Sequence, residues 1–232
     1  MMLEPGSLQA IGNLPVLEHL HLYTITGSPY LGVIGVLHRD SFPALRYLSL
    51  DYLASSEVEA LLELKALVQN LTVLSLSMFH TKSEQDWVGE EFIPRLSNTP
   101  HLSNLFARFD LDDEMHESGG HCIDEFVEAL ETLSKLPLLK VKITGLEFDW
   151  FNDFGTIFSQ VVKLELPDFH VPVHQLEYFA SMSNLEHLTI TLTWTSPTRK
   201  YVGQPILSFR ILEASNIDGF PNHTYSMVDT AE

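Results

Sequence analysis

Leu17-Glu18-His19-Leu20-His21-Leu22 is the stretch that decides the fold. Four of its letters return as Leu185-Glu186-His187-Leu188, followed by Thr189-Ile190. Between them stand Leu45-Arg46-Tyr47-Leu48-Ser49-Leu50 and Leu71-Thr72-Val73-Leu74-Ser75-Leu76. The shared form is L-x-x-L-x-L. In an extended strand alternate side chains point to opposite faces. The last two leucines of each copy therefore share one face, and the residues between them share the other. A lone segment cannot bury its leucines, whereas stacked copies bury them in one continuous core.

Weaker copies extend the series: Leu102-Ser103-Asn104-Leu105-Phe106-Ala107, Leu138-Leu139-Lys140-Val141-Lys142-Ile143 and Val161-Val162-Lys163-Leu164-Glu165-Leu166. An eighth is expected at Ile206 to Ile211, with Phe209 in its middle. Strand starts at Leu17, Leu45, Leu71, Leu102, Leu138, Val161, Leu185 and Ile206 differ by 28, 26, 31, 36, 23, 24 and 21 residues. Most steps fall near the ~20–29 of a leucine-rich repeat, and two are longer. Prolines precede several strands, at Pro15, Pro43, Pro100 and Pro137, where they end a helix and leave the chain extended.

The intervals between strands read as helices. Ser56-Glu57-Val58-Glu59 has the form of a capping box ahead of Ala60 to Val68. Asp124 to Leu136 has near-helical apolar spacing, and Gln85 to Leu96, Trp150 to Gln160 and Val173 to Met182 predict shorter helices. Strand and helix alternating at this period predict an α/β leucine-rich-repeat solenoid, a horseshoe of about eight irregular repeats. Its parallel sheet lines the concave side and its helices the convex side. Residues 1–217 are expected to form this domain and 218–232, which lack periodicity, a C-terminal tail.

Composition narrows the function. Hydrophobic residues make up 45% of the chain and charged residues 19%, enough apolar content for a packed core. The formal net charge of -18 repels phosphate backbones, so nucleic acid is not the expected partner. The single Cys122 has no second cysteine to bridge, which favours a reducing compartment. Met1 to Gly6 has neither the basic start nor the apolar core of a secretory signal. No apolar run reaches the ~18 residues of a membrane span. The expected location is intracellular, cytoplasmic or nuclear, with no membrane partner.

Neither cofactor nor catalytic site is expected. His19 and His21 both project from the concave face, but a metal site needs further ligands and a shaped pocket. The loop Asp110 to Cys122 gathers acids with His116 and His121. It has Met115 where an EF-hand requires glycine and His121 where it requires glutamate. The sequence contains no G-x-S-x-G, P-loop, H-E-x-x-H or dinucleotide-binding glycine pattern. A metal-binding or enzymatic role centred on His116, His121 and Cys122 is the most distant of the readings.

Alternation also predicts what faces outward: His19, His21 and Tyr23; Tyr47, Ser49 and Asp51; Val73, Ser75 and Ser77; Asn104, Phe106 and Arg108; Lys140, Lys142 and Thr144; Lys163 and Glu165; His187, Thr189 and Thr191. Of 13 basic residues, Arg108, Lys140, Lys142 and Lys163 fall on this surface across three adjacent strands, with Phe106 among them. Tyr23, Tyr47, Phe106, Arg108, Lys140, Lys142 and Lys163 are the candidate protein-binding residues. A positive patch with an aromatic anchor suits an acidic or phosphorylated protein partner. The plainer alternative is that lysines on a sheet discourage unwanted pairing.

Leu14-Pro15-Val16-Leu17-Glu18-His19-Leu20, Phe42-Pro43-Ala44-Leu45-Arg46-Tyr47-Leu48 and Met182-Ser183-Asn184-Leu185-Glu186-His187-Leu188 carry a further resemblance. With their irregular spacing they resemble the leucine-rich-repeat region of fungal F-box proteins. The resemblance implies a non-catalytic module like the substrate-recognition repeats of an F-box-type ubiquitin-ligase subunit. A general repeat scaffold or inhibitor unrelated to ubiquitin is the alternative. The F-box itself has no counterpart, because Ser7 to Asn13 reads as the end of a repeat helix. A ligase adaptor is a partner only where an F-box precedes the chain, so the chain is expected to be a fragment or to pair at its open end. Leu8, Ile11 and Leu14 are expected to cover the first strand.

Overall fold

The computed structural model describes residues 7–23, 37–38, 40–80, 87–111, 131–146, 154–193, 211–216 and 225–228. Among these residues nine strands form one open sheet in sequence order: β1 His19–Tyr23, β2 Tyr47–Asp51, β3 Val73–His80, β4 Asn104–Leu111, β5 Lys140–Thr144, β6 Lys163–Pro172, β7 His187–Thr193, β8 Ile211–Asn216 and β9 Tyr225–Val228. Strands β1 to β8 are parallel, and β9 runs antiparallel against β8 within the segment expected as a tail.

The register follows the L-x-x-L-x-L frame. His19, Tyr47, Val73, Asn104, Lys140, Lys163 and His187 lie side by side across seven strands. The backbone repeats one joint at each step. The carbonyls of Glu18, Arg46, Thr72, Ser103, Leu139 and Val162 each accept two consecutive amides from the next strand. Ahead of most strands the first apolar residue closes a turn, as where Leu45 N–H donates to Phe42 O and Leu185 N–H to Met182 O. Alternation then sends Leu20 and Leu22, Leu48 and Leu50, Leu74 and Leu76, Val141 and Ile143, Leu164 and Leu166, and Leu188 and Ile190 into one core, where all are buried.

The crossovers differ more from expectation. Strand β8 begins at Ile211, opposite His187, not at Ile206. By register Leu188 lies beside Leu212 and Ile190 beside Ala214, so the frame starts at Phe209. Helix α2, Ser55–Leu62, starts one residue before the expected cap. Its N-cap is Ala54, whose amide donates to Glu57 Oε2 at 3.0 Å. This shift frees Glu59 for another role: it accepts from Trp87 Nε1 at 2.6 Å and from Arg95 Nη2 at 3.1 Å. Helix α3, Lys65–Val68, follows.

The expected helix Gln85 to Leu96 is composite among its described residues. A π-turn, Val88–Phe92, passes into α4, Ile93–Arg95, and a 3₁₀ turn, Leu96–Asn98. Of the helix expected over Asp124 to Leu136, residues 131–136 are described; 131–134 are helical and Lys135 and Leu136 are not. Among the described residues of the expected Trp150 to Gln160 helix, Phe154–Ile157 form helix α5, and Val173–Ser181 is 3₁₀ rather than α. Among the described residues no helix is long and apolar enough to cross a membrane.

At the first strand, α1 (Ser7–Gly12) caps the core. Leu8 is buried and Ile11 packs against the core, whereas Leu14 stays exposed and does not cover it. Phe42 completes this cover with a positive φ of 57°, its amide donating to Gly12 O at 2.7 Å. A Cβ on Gly12 would lie 2.9 Å from the Phe42 ring, so the close approach requires glycine there.

Candidate functional site

The outward face of the sheet is built by the same alternation that buries the leucines. His21, Ser49, Ser75, Phe106, Lys142, Glu165 and Thr189 form one lateral row, and Tyr23, Asp51, Ser77, Arg108 and Thr144 the row beyond it. Two expected outward residues are nevertheless buried, Ser49 and Thr191. Thr191 is enclosed because its hydroxyl donates to Pro167 O at 2.5 Å.

A bulge shapes the face. Between Leu166 and His170 the pairing of β6 with β7 shifts, so Pro167, Asp168 and Phe169 are extra on β6. Phe169 fills the core, and Asp168 Oδ2 accepts the amide of Gly145 at 2.6 Å. Beside the bulge lies a hollow of about 730 Å³ lined by Ser75, Ser77, Phe106, Arg108, Asp110, Lys142, Thr144, Gly145, Pro167 and Asp168. This is within the size range of ligand-binding clefts, ~300–1,000 Å³.

Most of the charges on this face are paired. Arg108 Nε donates to Asp110 Oδ1 at 2.8 Å. Glu165 collects Lys163 at 3.1 Å, His187 at 3.8 Å and Lys142 at 3.9 Å. Such pairs at the sheet surface orient side chains more than they stabilise the fold. The Asp110 hydrogen bond and then its charge hold the Arg108 guanidinium above its ordinary pKa against desolvation, with a lesser contribution from Tyr52. Arg108 is therefore a fixed cation at any neutral pH.

Of the candidate residues, Phe106, Arg108 and Lys142 meet in the hollow. Lys140 and Lys163 are lateral neighbours just outside it, and Lys140 makes no ion pair among the described residues. Tyr23 and Tyr47 stand apart on β1 and β2. Tyr47 stacks on His19 with centroids 5.3 Å apart, and Tyr23 is exposed beside His21. His21 Nε2 meets Asp51 Oδ2 at 2.5 Å. Among the described residues no group of three or more His, Cys, Asp or Glu is placed to hold a metal ion; His116, His121 and Cys122 lie outside them.

Sequence reasoning passed over three contributors. Asp110 falls at the end of β4, although its acidic neighbours in the sequence read as a loop. Asp168 is placed by a bulge that periodicity does not announce, although Pro167 interrupts the strand pattern. Tyr52 and Phe79 form an exposed stack, with centroids 5.0 Å apart and planes at 29°. Tyr52 follows β2 directly and has a positive φ of 58°, a conformation a bulky side chain seldom adopts.

The fold and this face define an α/β protein with one open, largely parallel sheet whose polar surface carries a mixed-charge hollow. Compared with known proteins, the chain matches no family model, no curated protein and no solved structure.

Proposed function

We propose that the chain is a leucine-rich-repeat solenoid and acts as a non-catalytic protein-binding module, like the substrate-recognition repeats of an F-box-type ubiquitin-ligase subunit. The supporting observation is the common register of seven strands, which gathers every outward residue from His19 to Thr189 onto one continuous surface around the hollow. Repeating backbone joints and a leucine-lined core favour the repeat reading. The aromatic and arginine content of the hollow suits a binding hot spot. An acidic or phosphorylated partner fits the four cations, although three of them already contact the chain's own carboxylates.

The test is affinity capture with the intact protein and with a variant carrying Arg108→Glu, Lys142→Glu and Lys163→Glu. Partners bound through this face are lost from the variant and retained by a Lys65→Glu control on α3. Partners retained by both proteins would place binding elsewhere. Co-capture of a ligase adaptor by a chain extended upstream separates the ubiquitin-ligase role from that of a general scaffold or inhibitor.

A further inference from the structure

We propose that Arg108 is the anchor of this surface and that its ligand is a carboxylate side chain of a partner peptide, next to an aromatic residue that packs on the Tyr52–Phe79 stack. The inference rests on the binding role of the face given above and specifies which chemistry that face selects.

The first observation is the state of the guanidinium. Arginine has five N–H donors in a rigid plane. Asp110 Oδ1 takes the Nε donor at 2.8 Å, while Nη1 and Nη2 make no hydrogen bond among the described residues. The Arg108 side chain is 63% exposed and that of Asp110 is 26% exposed. The acid sits lower and the cation stands out. Asp110 thus fixes the orientation of the plane and leaves the outer edge open. That edge presents two parallel N–H groups, the geometry that receives a carboxylate in bidentate fashion. Holding the side chain in place beforehand lowers the entropy lost on binding.

The second observation is the neighbouring apolar ledge. Ser77 is the lateral neighbour of Arg108, and the amide of Tyr52 donates to Ser77 O at 2.6 Å. Phe79 is the lateral neighbour of Asp110. Arg108 and the two rings are therefore adjacent on one face. Tyr52 is 39% exposed and Phe79 52% exposed. The positive φ of Tyr52 would suit glycine or asparagine better. Strain retained at an exposed aromatic serves presentation of the ring rather than core packing.

Charge selects between anions. A phosphate is close to a dianion at neutral pH and calls for more than one free cation. Here Lys142 is turned toward Glu165, Asp110 and Asp168 line the same hollow, and Lys140, unpaired among the described residues, lies outside it. The whole chain carries a formal charge of -18. A single carboxylate matches the one open guanidinium edge and meets less repulsion.

The test uses the full chain and immobilised glycine-flanked peptides carrying Asp-Phe, Asn-Phe, Asp-Ala, phosphoserine-Phe or Lys-Phe at the centre. Asp-Phe peptides should bind best, with Asn-Phe weaker by about tenfold, the effect expected of a lost charge-assisted pair. Arg108→Lys, which keeps the charge but removes the fork, should weaken Asp-Phe binding by a similar ~10-fold. Tyr52→Gly should lower Asp-Phe to the level of Asp-Ala. Equal binding of Asn-Phe, indifference to Arg108→Lys, or tighter binding of phosphoserine-Phe would overturn the inference. Retention of Lys-Phe peptides that is lost in Phe106→Ser would overturn the anchor while preserving the binding role of the face. Retention of no peptide of any class would remove both.

Discussion

The amide of Gly145 donates to Asp168 Oδ2 at 2.6 Å and thereby ties the end of β5 to the bulge of β6. Gly145 has a φ of 79°, and a Cβ there would fall 1.6 Å from Phe109 O. Backbone, not a flexible side chain, occupies the space. Gly145→Ala should therefore destabilise the protein by about 2–4 kcal/mol, seen as a lower midpoint in urea unfolding. A midpoint within experimental error of the parent would contradict the described junction.

The core makes a second prediction. Leu74 lies in the middle of the sheet, fully buried, with Leu48 and Leu105 beside it on neighbouring strands. Leu74→Ala removes transfer free energy and leaves a cavity, a loss of about 2–5 kcal/mol. Ser75→Ala, one residue away on the outward face, should change stability by less than ~0.5 kcal/mol. Equal effects at the two positions would invert the assignment of faces.

On the helical side, Glu59 holds two partners at once, Trp87 Nε1 at 2.6 Å and Arg95 Nη2 at 3.1 Å. Arg95 also meets Glu91 and Glu63. Glu59→Ala leaves the largely buried Trp87 N–H without its acceptor and should destabilise by about 1–3 kcal/mol. Glu63→Ala, at an exposed carboxylate, should be near neutral. The Glu91 hydrogen bond, with charge from Glu59, Glu91 and Glu63, raises the Arg95 pKa above its ordinary value against desolvation. A raised cation stabilises at every pH below its unfolded value and loses that contribution only as pH climbs through the folded one. The difference between Glu59→Ala and parent should therefore show no arginine-linked step in neutral solution; thermal melts across pH would reveal one.

Tyr52→Gly separates binding from folding. It removes a stacking contact of about 0.5–1.5 kcal/mol but relieves a strained φ of comparable magnitude. Melting should stay close to that of the parent while peptide binding falls. A large loss of stability would make the ring a structural part of the fold.

Periodicity makes the first seven strands readable because the two apolar residues that close each frame have nowhere to go but inward. Leu17, Leu45, Leu71 and Leu185 set registers that match residue for residue. The eighth strand is read out of frame because the run Ile206-Leu207 offers a start three residues ahead of the frame that Leu212 and Ala214 follow. The cap is read two residues late because Ser56 and Glu59 have capping-box spacing, whereas the N-cap is Ala54, whose side chain makes no hydrogen bond, and Glu57, not Glu59, reaches back to the helix start. Outward positions were legible as a set, but their pairing was not. Alternation places Glu165 on the face without saying that it gathers Lys142, Lys163 and His187. A bulge such as Pro167 to Phe169 depends on tertiary packing and has no periodic signature.

The central claim is that partners are held on the outward face of the sheet. Hydroxyl-radical footprinting of the intact protein, alone and with a captured partner, addresses it residue by residue. Protection should fall on Tyr23, Tyr52, Phe79 and Phe106, with Tyr178 of the 3₁₀ segment labelled equally in both samples. Protection of Tyr178 with unchanged labelling of Tyr52, Phe79 and Phe106 would contradict the account.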